Sequence, residues 1–291
     1  MSKYDQDALN ELENGVAPGG EGNLPFDVAI WRALNGQSAL KSLSATPVNA
    51  VYFGGWATGK TETDEYAQSS GKAPLPFGVH EMGELDKVYD AYVTRELFVA
   101  PIVSRVSWVK KTGAMPVRSP EYFEGSSRHF QCVGFMGIRS TAETTEIEPW
   151  GLVMLTVKGM QVTHVLDGIN KWNSSTAPVR RKIAASEGVS NIPAWVFYMK
   201  MGTFGQTPNF LKVGKGNNTS IITPISTYIP QQITDELLDK LYVGEGVTAV
   251  MVDAKKSAAD WAAGWDKASR SAPAPASDEE PSFNETDEIP F

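Results

Sequence analysis

The sequence predicts a mainly β protein with helical insertions, followed by an acidic tail. Three observations predict it. Strand-like runs recur through the middle of the chain, alternating apolar and polar over much of 95–111 (RELFVAPIVSRVSWVKK) and strongly apolar at 129–138 and 150–158. Two stretches of helical spacing, 161–172 and 178–187, interrupt the strand-like runs. The last nineteen residues, PAPASDEEPSFNETDEIPF, hold six carboxylates and no base, a composition that cannot bury enough apolar surface to offset chain entropy.

Taken in order, residues 1–25 read as a flexible N-terminal arm, helical at most over 5–13. Residues 26–35 (FDVAIWRALN) have helical spacing and 47–53 (PVNAVYF) read as a strand. A Gly- and Pro-rich loop is expected at 71–83. The long run at 95–111 is a strand in which Pro101 marks an edge or a bulge. A loop at 118–127 leads to strong strands at 129–138 and 150–158, joined by a polar, acidic connection. After the two helices, the second with Pro178 near its first turn, come strands at 194–201 and 220–228, the latter interrupted by Pro224. Residues 234–242 form an amphipathic helix with Thr234 as N-cap. A short apolar strand at 247–252 and a helix at 255–268, with Trp261 and Trp265 one turn apart, complete the body.

Strands, a helical insertion and further strands follow the order of an OB-fold, so the expectation is an OB-like barrel over about 45–230. It lies within a domain of 26–270 whose C-terminal helices occupy 231–270, and residues 271–291 are a disordered acidic tail.

Totals narrow the function. One cysteine and three scattered histidines exclude a disulfide framework and a Cys/His zinc cluster, so no metal and no cofactor are expected. The polar start lacks a signal-peptide core and no apolar run approaches membrane-spanning length, which points to an intracellular, cytoplasmic protein and to no membrane partner. The net charge of −8 is unevenly spread. Residues 101–220 carry 14 Lys and Arg against seven Asp and Glu, while both termini are acidic, an asymmetry expected of a polyanion binder.

Two motifs compete. Residues 54–61 (GGWATGKT) satisfy G-x-x-x-x-G-K-[ST] after a strand-like run, the pattern of a phosphate loop. The acidic stretch that follows, broken by Gly71, Pro74 and Pro76, lacks the apolar face of the required helix, so a β-turn with a basic tip is the better reading. A P-loop ATPase or helicase-loading protein remains the alternative. The second motif is basic and aromatic interleaving, which supplies cations for phosphates and rings for base stacking. It gathers Arg105, Trp108, Lys110 and Lys111 on one strand; Arg128, Phe130, Phe135 and Arg139 on the next; and Trp195, Tyr198, Lys200, Lys212 and Lys215 further on. On the first strand Trp108 and Lys110 point together, with Val109 turned inward. Arg180, Arg181 and Lys182 open a helix, where cations oppose the dipole and a phosphate partner would explain them. Most single rings in such a set belong to the core. The sequence holds no catalytic motif such as G-x-S-x-G or H-E-x-x-H, and no enzymatic activity is expected.

The final five residues, Asp287, Glu288, Ile289, Pro290 and Phe291, come after an Ala/Pro/Ser linker and an acidic run. They resemble the C-terminal tip of bacterial single-stranded-DNA-binding (SSB) proteins, with Glu288 in place of an Asp. The layout of body and tail is similar to phage proteins of this kind. The resemblance implies a non-enzymatic protein that coats and protects single-stranded DNA without sequence preference during replication, recombination and repair, and that recruits partner proteins through residues 287–291. A strand-annealing recombination mediator is the other alternative, and self-association is compatible with either.

Overall fold

The computed structural model describes residues 4–13, 24–34, 54–84, 87–112, 115–119, 121–139, 146–205, 209–215 and 218–263. A ten-stranded sheet forms its spine. The strands are β1 (Ala29–Leu34), β2 (Gly55–Gly59), β3 (Gly78–Glu84), β4 (Lys87–Thr94), β5 (Glu96–Thr112), β6 (Met115–Ser119), β7 (Ser127–Ile138), β8 (Glu148–Lys158), β9 (Met199–Gly202) and β12 (Ser226–Thr227). A separate hairpin joins β10 (Leu211–Lys215) to β11 (Asn218–Ile222). The described helices are α1 (Gln6–Glu13), α2 (Lys60–Ser69), α3 (Gln161–Glu187), α4 (Asp235–Leu241), α5 (Glu245–Ser257) and α6 (Ala259–Ala263). The protein is mainly β, as expected.

The sheet runs β12-β9-β5-β7-β8-β1-β2-β4-β3, with β6 beside the far end of β5. Neighbours are antiparallel except β1 and β8, which are parallel. β5 holds the centre, pairing with β9 over residues 96–99, with β7 over 98–109 and with β6 over 108–112. Its register slips between Pro101 and Val103, just past the last β9 pair, so Pro101 does mark a bulge. Opposite it, Gly134 is required by contact. A Cβ there would come within 2.5 Å of Val99, where β5 and β7 pack tightest.

Over most of β7 and β8 both faces are buried, Val133, Phe135 and Met154 on one and a second set on the other. Phe130 and Cys132 of β7, Leu155 and Val157 of β8 and Trp31 of β1 share that second face and are buried. The first two follow the period-2 expectation. β1 does not, because 26–35 was expected to be helical. Ile30 and Arg32 sit on the exposed side and Ala29 and Trp31 on the buried one; the exposed Ile30 masks the alternation in the sequence.

Other elements also depart from expectation. The start of the N-terminal arm is docked: Tyr4 and Leu9 are buried, and the Gln6 side chain accepts from the Ser190 amide at 2.7 Å. The loops expected at 71–83 and 118–127 give way in part to β3 and β6. Residues 247–252 are helical, not extended. Gly244, at φ 88°, starts α5, and Thr248 donates back to its carbonyl at 2.8 Å, so a run of β-branched residues is carried in a helix by its buried face. Ala194–Val196 is a 3-10 turn preceding β9, and Pro224 separates β11 from β12. Thr234 caps α4 as expected, accepting from the Leu237 amide. The strand expected at 47–53, Trp265 and the tail at 271–291 lie outside the described residues.

The two helices expected at 161–172 and 178–187 are a single 27-residue helix running through Pro178. A proline there withdraws one N–H from the ladder. The acceptor it leaves is the Ser174 carbonyl; one turn back, side chains reinforce the helix, Thr176 Oγ1 donating to the Trp172 carbonyl at 2.8 Å and Arg180 Nη2 to that of Asn173 at 3.1 Å. Among the described helices, none is long and apolar enough to cross a membrane.

Candidate nucleic-acid interface

Cross-strand register sorts the expected site residues by face. Trp108 of β5 lies directly opposite Arg128 of β7, and Lys110 is two residues further along β5. These three therefore share a face, while Val109 between them is buried on the other, as the alternation predicts. Trp108 stands edge-on to Tyr122, which is 61% exposed, with ring centroids 5.0 Å apart. Lys110 lies across Gly125, whose positive φ of 71° lets the 121–126 loop fold close over it. The result is a half-exposed patch of two rings and two cations at one end of β5. Lys111 pairs with Pro116 in the β5–β6 ladder.

A second group gathers at the opposite end of β5. Lys200 of β9 bonds Glu96 at 2.6 Å and sits 5.5–6.0 Å from the rings of Phe98, Phe204 and Tyr228. Arg139 lies over the other side of this cluster, 4.5 Å from the Phe98 ring. Tyr228 is 49% exposed and meets Phe204 edge-on. Phe98 and Tyr228 were not singled out from sequence. The first reads as an ordinary strand apolar residue, and the second follows a strand only two residues long.

Arg105 belongs to the reverse face. Its Nε and Nη2 both donate to Gln131 Oε1, at 3.0 and 2.8 Å, and Nη1 donates to the Trp261 carbonyl at 2.8 Å. The guanidinium also stacks 4.0 Å from the Trp261 ring. Burial, and then the charge of Arg118, push its pKa down to about 9, still charged at neutral pH. The same face carries Ser107, His129 and Lys158 in one row across β5, β7 and β8, and Arg118 of β6 opposite Val109. Sequence reading missed Arg118, His129 and Lys158. Arg118 joins this face only through the β5–β6 pairing, since counting in twos from Arg105 lands on Val117.

Several expected residues are structural instead. Phe130, Phe135 and Tyr198 are core side chains, at most 4% exposed, and cannot stack on bases. Arg180 is buried. Its guanidinium donates to Thr176 Oγ1, to the Ile192 carbonyl and to Asn173, so it locks α3 to the following loop rather than meeting phosphate. Lys182 is tied to Asp235 at 2.6 Å, whereas Arg181 projects from α3 exposed. Trp195 is half-buried against the core. Lys212 is exposed on β10, the strand that also carries Lys215.

Residues 54–61 are not a turn. Gly55–Gly59 is β2, bonded between β1 and β4, and α2 starts at Lys60. The expectation that no helix follows is corrected. Thr63 and Ala67 give α2 a buried side, and the Tyr66 hydroxyl accepts from the Leu152 amide at 3.0 Å. A phosphate loop needs the residues between its glycines to curl so that their amides face the ligand. Here those residues are in the ladder. Lys60 pairs with Asp64, which also accepts from the Tyr92 hydroxyl at 2.7 Å. The Lys60 bond, and then that of Tyr92, holds the Asp64 carboxyl below its usual range. The neighbouring cavity of about 370 Å³ is lined by Glu62 and Asp90 as well as Arg32, a poor setting for a triphosphate.

No family model, no curated protein and no solved structure matches the chain.

Proposed function

We propose that the protein binds single-stranded DNA without sequence preference and without catalysis. The observation that carries this reading is the pairing of cations with exposed or half-exposed rings at both ends of β5: Trp108, Tyr122, Lys110 and Arg128 at one, Arg139, Lys200, Phe204 and Tyr228 at the other. Phosphates are met by charge and bases by flat rings, which is how a single strand is held irrespective of sequence.

Topology supports an OB-like reading of this half of the sheet. β5, β7 and β8 form a meander, α3 follows, β9 returns to pair with β5, and β12 pairs with β9 after the β10–β11 hairpin. In OB-folds the second and third strands, together with the loops between strands one and two and between four and five, hold oligonucleotides. The corresponding segments here carry Arg128, Tyr122, Phe204 and Lys212, and Trp108 and Lys110 lie beside them on the first strand. Across the bulge at Pro101 the two groups fall on opposite faces of β5, Trp108 opposite Arg128 and Phe98 opposite Gly137, so each is read as a separate contact with the strand. Residues 287–291 are read from the sequence as the recruiting tip for replication, recombination and repair proteins, docking an aromatic ring and a carboxylate.

The test is fluorescence anisotropy of labelled oligo(dT) with the full chain and with Trp108→Ala. Loss of one stacking ring is expected to weaken binding by about 1–3 kcal/mol. Equal affinity of the two proteins rejects Trp108 as a base platform.

A further inference from the structure

We propose that Arg105, Ser107 and Gln131, on the reverse face of β5 and β7, form a further subsite for one nucleotide of a single strand, and that Trp261 of α6 fills it when no nucleic acid is bound. The inference rests on the single-strand reading above and adds a site to it.

Trp261 gives Arg105 the two things a nucleotide would give it. Its indole face lies 4.0 Å from the guanidinium carbon, and its carbonyl oxygen accepts from Nη1 at 2.8 Å. A nucleotide offers a base face for the first contact and a phosphate oxygen for the second. Gln131 holds the guanidinium from the side, through Nε and Nη2, and leaves Nη1 directed at α6. The orientation of Arg105 therefore comes from the sheet, and α6 is needed only as occupant.

The fit of that occupant is incomplete. Ser107 Oγ, two residues from Arg105 on the same face, is buried with no hydrogen-bond partner among the described residues. A main-chain carbonyl also brings no negative charge to the Arg105 guanidinium. A phosphodiester brings both charge and a second acceptor. α6 itself is five residues long, too short to be stable without its contacts, and its release exposes the Trp261 indole, which is buried here in the core.

Hydrogen–deuterium exchange of the full chain with and without saturating oligo(dT) tests this. Amides of 259–263 should exchange faster in the complex while those at 105–107 and 129–131 exchange more slowly. Alongside, a folded Trp261→Ala, checked by circular dichroism, should bind oligo(dT) about threefold tighter or more, because the subsite is already vacant. Unchanged or increased protection of α6 in the complex overturns the proposal, as does a folded Trp261→Ala that binds no tighter. If binding occurs with α6 still protected, only this inference fails. If the wild-type chain binds no oligo(dT), the single-strand reading falls with it.

Discussion

Arg180 and Trp108 were drawn from the same sequence pattern, and the structure gives them opposite duties. Arg180 directs its guanidinium at the protein's own carbonyls, around a proline that has removed a helix hydrogen bond. Trp108 stands half-exposed beside Arg128. Arg180→Met should therefore lower stability by about 2–4 kcal/mol in urea unfolding, since it strands the buried Ile192 and Asn173 acceptors. Trp108→Ala should leave the unfolding midpoint close to wild type and act on DNA affinity alone. A neutral Arg180→Met would show that those bonds do not hold α3 to its loop. Charge is visible in a sequence, but burial of a charge is not. That is why Arg180 and Lys182 looked alike before their partners were known.

At the scale of elements, legibility followed how one-sided each segment is. The strands β7 and β8 were readable because each is a short, near-continuous apolar run buried along most of its length. β1 was not, because an isoleucine occupies its exposed face and shifts the apparent period toward that of a helix. α5 was misread because its valines and threonine suggest a strand, while its helical state comes from packing against β5 and α1. The break expected in α3 came from Pro178, whose local cost is offset by Thr176 and Arg180. Pro178→Ala restores an N–H to that turn and should raise thermal stability by about 1 kcal/mol, a shift of a few degrees in Tm. A fall in Tm would mean that the proline ring makes packing contacts worth more than the missing bond. The candidate interface was half legible. Trp108, Lys110 and Arg128 share a face by simple counting, but the row of Arg118, His129 and Lys158 depends on pairing across four strands.

On the scale of the whole molecule, burial of tyrosines sets an alkaline limit. Tyr4, Tyr66, Tyr198 and Tyr242 are all held above the ordinary phenol value, in each case chiefly by burial. A raised folded pKa favours the neutral phenol, so the stability it contributes is complete below the unfolded value of about 10 and is lost as pH rises through the folded values. Denaturant midpoints should stay level near neutrality and fall above about pH 10. A midpoint unchanged to pH 11.5 would contradict the burial of these hydroxyls.

Charge distribution is the other property of the whole chain: an acidic protein whose central segment, 101–220, is basic and presents its cations beside rings. The most direct measurement is quenching of intrinsic tryptophan fluorescence by oligo(dT) across a series of salt concentrations. With about five phosphates neutralised, log affinity should fall with log salt at a slope of roughly −3 to −4. Saturable quenching with that slope is the predicted result; no quenching in dilute buffer, or quenching indifferent to salt, would contradict the account.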